Sequence, residues 1–469
     1  MPSFTKYIGR RGSDGLMAYK YAGSDNSITF RKVLNPLYEK MLPFIPYWLA
    51  PNLITLIGFL FPLSAHILMA QYAPDLKGEA PTWLYFYCSV GLIAYMCLDA
   101  LDGKQARRTG SSSPLGLLFD HGCDALNTGL SCMTLCSSLQ LGSSWKTVVM
   151  AVSSLSTFYA ATWEEYYTGE LILPEINGPN EGVIIVAGMH VITGLFGPSM
   201  WLKTIDLFGG FQLNTAAVIF SAFSSYSTIL MNIKNVFIFL RNHQRIFHSA
   251  KPGESTPQCV FPEEDSKSVQ HSHPHATLCL ALTRWVPLLL IEVAWVMWVF
   301  DSPSHIFERY PRRMLWIFVL AFCKMVTQLM LAHLTGEQYR PYGKTAVLIL
   351  FRAYQVAYSI YVAKNYTQES EDMAVLELLF ICGVSYLHLV IYAIWEITSI
   401  LGIHCFWIDT MKAYNHVYNV TPAPVAAQTV VASSGNSATF GGSEVPERSR
   451  RSAITTPTRR SSSRARKSD

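Results

Sequence analysis

Four aspartates stand close together in an otherwise oily chain, Asp99 and Asp102 three residues apart, Asp120 and Asp124 four apart. Either spacing puts both carboxylates of a pair on one face of a helix. Between the pairs, Gly103 and Ala106 keep a helix turn free of bulk, so that a phosphate can approach the backbone. Arg107 can present a planar fork to that phosphate, and Gly116 lets two helices come close. Carboxylate oxygens suit hard cations such as Mg²⁺, Mn²⁺ or Ca²⁺, and four of them carry enough charge for two ions about 3.5 to 4 Å apart. A single Asp at membrane depth costs on the order of 3 kcal/mol, so a cation is expected among them. The plain rival is a set of interfacial ion pairs with Lys104, Arg107 and Arg108. His121, Asp124 and Glu181 are the candidate proton acceptors. Histidine titrates near neutrality, a carboxylate that holds a metal is poorly suited as a base, and Glu181 could instead polarise or relay for His121.

The surroundings decide what positions these residues. Half of the chain is hydrophobic and 14% is charged, against about a quarter charged in soluble domains. Apolar stretches fall near 49–71, 83–101, 117–138, 146–163, 183–203, 215–240, 277–300, 314–335, 345–363 and 374–402, each close to the roughly 20 residues that span a bilayer. The expected fold is all-α, a polytopic integral membrane bundle of about ten transmembrane helices, since lipid admits only helices or closed barrels.

The sequence divides into an N-terminal and interfacial segment (1–48), a catalytic membrane region (49–240) with the aspartates at 99–124, a loop (241–276), C-terminal transmembrane helices (277–403) and a basic tail (404–469) expected to be disordered. Nothing at the start resembles a cleaved signal peptide. Lys and Arg crowd the loops on one side, which places the aspartates and both termini in the cytosol, with Arg309, Arg312 and Arg313 as an exception. Asn365 would then be a lumenal sequon and Asn419 a cytosolic one. The cysteines read as small buried hydrophobes, and His271, His273 and His275 as part of a flexible loop.

The residues Asp99, Asp102, Gly103, Ala106, Arg107, Gly116, Asp120 and Asp124 match without a gap the signature Asp-x2-Asp-Gly-x2-Ala-Arg-x8-Gly-x3-Asp-x3-Asp. The chain thus resembles the CDP-alcohol phosphotransferases, and "LAPNLITLIG" and "TWEEYYTGELILPEINGPNEG" are similar to the eukaryotic choline and ethanolamine phosphotransferases. The resemblance runs from about residue 30 to 410. It implies transfer of phosphocholine or phosphoethanolamine from CDP-choline or CDP-ethanolamine to diacylglycerol, with release of CMP. It also implies two Mg²⁺ or Mn²⁺ ions, with Asp99 and Asp120 bridging both, Asp102 serving one and Asp124 the other. Asn52 and Arg107 would lie at the CDP substrate, with Gly103, Ala106 and Gly116 beside them, and the "DHGCD" context favours His121 as base. Leu117 departs from relatives that carry Glu there, which leaves a head-group contact at that position unassigned. The resemblance further suggests a homodimer in the endoplasmic reticulum or Golgi membrane, with membrane lipid and no nucleic acid as partner.

Other classes fit less well. A cation transporter would spread its carboxylates along a midplane path or repeat them. A prenyl-type transferase would lack the Gly-Ala-Arg arrangement between its acidic pairs, and a catalytically dead scaffold would have lost one of the four aspartates.

Overall fold

The computed structural model describes residues 6–19, 23–25, 27–173, 178–205, 210–249 and 278–417. The remainder of the expected tail, including Asn419, and most of the expected loop, including His271, His273 and His275, lie outside the described residues. The helices are α1 (Arg10–Ala18), α2 (Asn35–Met41), α3 (Pro51–Tyr72), α4 (Thr82–Thr109), α5 (Pro114–Ser138), α6 (Trp145–Thr168), α7 (Pro179–Phe196), α8 (Leu213–Ser249), α9 (Leu278–Leu282), α10 (Val286–Asp301), α11 (Ile306–Arg309), α12 (Pro311–Thr335), α13 (Lys344–Tyr361), α14 (Gln368–Leu401) and α15 (Thr410–Val417). Among the described residues, strand is confined to two small ribbons, Gly23–Asp25 parallel to Leu171–Leu173 and Thr204–Ile205 antiparallel to Phe211–Gln212. The chain is an all-α polytopic membrane protein.

Each expected span falls on a helix. Among the described residues, seven helical stretches are long and apolar enough to cross a bilayer: α3, α4, α7, α8, the α9–α10 stretch, α12 and α14. The other three expected spans correspond to α5, α6 and α13. Of these, α5 and α6 carry the polar side chains of the centre (Asp120, His121, Asp124, Glu164, Glu165), and α13 is shorter.

Local chemistry sets the boundaries near the aspartates. Helix α4 runs to Thr109, beyond the expected end at 101, and stops where Gly110 takes the left-handed conformation with φ 62°. Helix α5 starts with Pro114 in its first turn, and Ser113 Oγ accepts the Gly116 N–H at 3.2 Å. Both helices pack along α3 and meet each other chiefly near the carboxylates. Helix α8 likewise continues to Ser249, past the expected end at 240, because its last turns are polar yet still helical.

Helix α12 is the hub of the bundle. It packs against α5, α6 and α14, and its Met314, Phe318, Phe322, Val326, Leu329 and Met330 are fully buried. Small residues allow the close approaches, as expected where packing rather than the hydrophobic effect joins helices in lipid. A Cβ on Gly129 of α5 would sit 2.4 Å from Val319 Cγ1 of α12, and one on Gly15 of α1 would sit 2.0 Å from the Thr335 carbonyl oxygen.

Basic residues have specific structural tasks. Arg108 Nη1 donates to the Leu42 and Ile45 carbonyls at 3.1 and 2.8 Å, Gln105 Nε2 to those of Pro46 and Leu49 at 2.9 and 3.2 Å, and Lys104 Nζ to Asn35 Oδ1 at 2.6 Å. These bonds fasten the interfacial segment to the end of α4. On the opposite side, Arg309 pairs with Asp372 at 2.8 Å, Arg312 Nη2 donates to the Ala73 carbonyl at 2.7 Å, and the Arg313 guanidinium lies 4.3 Å from the Tyr310 ring centre. Packing therefore employs the three arginines that depart from the loop-charge pattern.

One expectation is corrected. The segment from 404 onward was expected to be disordered, yet Gly402–Val417 folds back over the start of α3. The Cys405 carbonyl accepts Asn52 Nδ2 at 3.0 Å, Phe406 packs edge-on against Phe119 at 5.5 Å, and α15 lies against α4. Its aromatic residues find partners that only the folded chain supplies.

Candidate active site

Helix α4 brings Asp99 and α5 brings Asp120 and Asp124 to one place, where one oxygen from each lies within 4.8 Å of the others. Tyr95, one turn before Asp99, donates its hydroxyl to Asp124 Oδ1 at 2.7 Å and so ties the two helices at the cluster. Asp99 Oδ1 and Asp120 Oδ1 are buried with no hydrogen-bond partner. Two anionic oxygens without donors in a low-dielectric interior are costly, and a hard cation is the chemistry that relieves them.

Asp102 lies outside that 4.8 Å grouping. It is 8% exposed, and its Oδ2 accepts the hydroxyl of Thr55 from α3. Asp102 thus follows Asp99 by one turn of α4, its second oxygen not engaged by Thr55. Lys104 and Arg108 are engaged by the interfacial segment, which leaves Arg107 alone of the three cations in the ion-pair reading.

Around the cluster, Asn52 is buried at 7% exposure, and its Oδ1 would lie 3.6 Å from a Cβ on Gly116. Arg107 is exposed, and its guanidinium lies over Gly103, whose added Cβ would meet Nη1 at 3.4 Å. Ala106 lies one residue away on the same helix. Asn52 and Gly116 thus meet between α3 and α5, and Gly103 and Arg107 meet along α4. Leu117 instead faces the apolar cluster that includes Leu115 and Leu118.

His121 is buried, and its Nε2 lies 3.2 Å from Glu165 Oε2 on α6. Glu181 sits in the first turn of α7, where Oε2 accepts the Gly178 N–H at 3.0 Å and Oε1 is buried without a partner. Sequence reasoning missed Tyr95, Thr55, Glu165 and His333. The one available signal was the doubled glutamate in "TWEEYYTG", an acidic pair inside an apolar span.

Comparison with known proteins agrees with this geometry. Residues 48–233 match the model of the CDP-alcohol phosphatidyltransferase family. The chain is 33% identical over 422 residues to choline/ethanolaminephosphotransferase 1 of Arabidopsis thaliana, covering 87% of this chain and 100% of that protein. It is 34% identical over 297 residues to cholinephosphotransferase 1 of Saccharomyces cerevisiae, covering 61% of this chain and 74% of that one. The chain belongs to the CDP-alcohol phosphatidyltransferase family. The family is generally dependent on divalent metal, and the three-aspartate cluster is suited to hold it.

Proposed function

We propose that the protein is a choline/ethanolamine phosphotransferase that moves phosphocholine or phosphoethanolamine from its CDP ester to diacylglycerol and releases CMP. The observation that carries this reading is the cluster of Asp99, Asp120 and Asp124, with two partnerless buried oxygens, in a chain whose relative, matched over its full length, bears that name.

Asp99, Asp102, Asp120 and Asp124 would hold two Mg²⁺ or Mn²⁺ ions, Asp102 offering the oxygen that Thr55 does not engage. When bound, such ions polarise phosphoryl oxygens and neutralise charge on the leaving phosphate. Asn52 and Arg107 orient the CDP ester, while Gly103, Ala106 and Gly116 leave room for its phosphates. The diacylglycerol oxygen bonds to the phosphorus that bears the amino alcohol, and the bond from that phosphorus to CMP breaks. His121 receives the hydroxyl proton. Asp124, tied to Tyr95, and Glu181, committed in part to the helix start, are the weaker candidates for that role.

The loop charges favour an active site and termini on the cytosolic side of the endoplasmic reticulum or Golgi membrane. Asn365, exposed between α13 and α14, would then be the lumenal sequon. Homodimer formation rests on the family resemblance alone.

The test is an assay of purified protein with diacylglycerol, Mg²⁺ and labelled CDP-choline or CDP-ethanolamine. Formation of phosphatidylcholine or phosphatidylethanolamine supports the reading, and neither product rejects it. His121→Ala is expected to lose most turnover but keep CDP-substrate binding, whereas Asp120→Asn loses both.

A further inference from the structure

Adjacent glutamates on α6 face different helices. Glu164 Oε1 accepts Asn235 Nδ2 of α8 at 2.8 Å. Glu165, 1% exposed, turns toward α5 and α12, its Oε2 3.2 Å from His121 Nε2 and its Oε1 3.9 Å from His333 Nε2. Tyr19 Oη approaches the same His333 nitrogen at 3.4 Å, its ring edge-on to the imidazole. A carboxylate so deeply buried is costly unless compensated, and here an imidazole flanks it on either side. Both Glu165 oxygens lack an aligned hydrogen bond, so the contacts are charge approaches with room to tighten. The other nitrogen of His121, Nδ1, is buried and has no hydrogen-bond partner.

We propose that Glu165 is a positioning residue for the transfer reaction, holding the His121 imidazole through Nε2 and presenting Nδ1 to the diacylglycerol hydroxyl, with His333 steadying the carboxylate from behind. The role rests on His121 being the base. It deepens that reading by assigning the reacting nitrogen and by adding two residues outside the aspartate motif. As the new phosphorus–oxygen bond forms and the bond to CMP breaks, the hydroxyl proton passes to Nδ1, and Glu165 offsets the charge of the resulting imidazolium. A carboxylate that fixes one imidazole nitrogen so that the other can act is the logic of hydrolytic triads.

The experiment measures kcat and KM of the full chain in nanodiscs for Glu165→Gln, Glu165→Asp, His121→Ala and the Glu165→Gln/His121→Ala double variant. Glu165→Gln is expected to lower kcat about 10- to 100-fold, the scale seen when a partner that orients a metal-bound histidine is removed, with KM for the CDP-alcohol unchanged. Glu165→Asp should recover part of kcat, and Glu165→Gln should have no further effect once His121 is gone. Full kcat in Glu165→Gln beside an inactive His121→Ala overturns the positioning role and leaves the base standing. Full turnover in His121→Ala overturns the base and this role with it. Losses that add in the double variant, or a KM that rises as kcat falls, make Glu165 a packing residue and overturn the role. Should Glu165→Gln not fold, Glu165→Asp decides: reduced kcat supports the role and unchanged kcat overturns it.

Discussion

The hydroxyl of Tyr95 donates to Asp124 Oδ1 at 2.7 Å, joining α4 to α5 where their carboxylates meet. This bond satisfies one lone pair of an anion that sits beside two others, and it fixes Asp124 for a cation. Tyr95→Phe keeps the ring and removes the donor. At about 1.5 kcal/mol for a hydrogen bond to a charged group, the Mg²⁺ concentration for half activity should rise roughly tenfold. A Mg²⁺ titration checks it, and an unchanged midpoint would show that the bond does not organise the site.

Chelation should act on stability as well as turnover. With the cation withdrawn, Asp99, Asp120 and Asp124 repel one another within 4.8 Å, so EDTA is expected to abolish product formation and lower the melting temperature. In Asp120→Asn one charge of the trio is gone, and the melting temperature should respond less to EDTA. An equal response in both proteins would place the stabilising ion elsewhere.

The contact of α5 with α12 depends on Gly129. An alanine there would drive Cβ into the branched Val319 side chain, with both of its methyl groups too close. Gly129→Ala should destabilise the protein by about 1 to 3 kcal/mol, the range for overpacking. Adding Val319→Ala should recover much of that loss in a thermal melt, and no recovery would mean that the two side chains do not share the space.

A second polar knot stabilises the far end of the bundle. Glu371 of α14, 1% exposed, accepts Trp298 Nε1 at 2.7 Å, Ser302 Oγ at 2.9 Å and Tyr366 Oη at 2.7 Å, with Ser304 as a further donor. Glu371→Leu leaves these donors unmatched, and each orphaned buried group costs about 1 to 3 kcal/mol. We expect a large fall in melting temperature with KM for the CDP-alcohol unchanged in the protein that remains folded. A raised KM at normal stability would reveal a coupling to the aspartate cluster.

Much of this was legible before folding. The ten apolar stretches gave the helix positions because hydropathy reports the solvent directly. Their ends were less legible: α4 continues through Asp102, Gly103, Ala106 and Arg107 to a left-handed Gly110, and α8 through polar turns to Ser249, neither of which carries a hydropathy signal. The motif aspartates were readable because spacings of three and four place carboxylates on one helical face. The grouping of three oxygens with Asp102 held by Thr55, and the approach of Glu165 to both His121 and His333, were not.

The sequence by itself therefore determined the medium, the element type and which carboxylates share a helix face, since each follows from composition or from a period of a few residues. The tertiary structure alone decided which helices are neighbours and hence which groups compensate which. Glu165 and His333 are distant in the chain, and within lipid helices choose partners through close packing of small residues and polar contacts that no local pattern encodes. Packing of α6 against α5 and α12 makes Glu165 a neighbour of both His121 and His333.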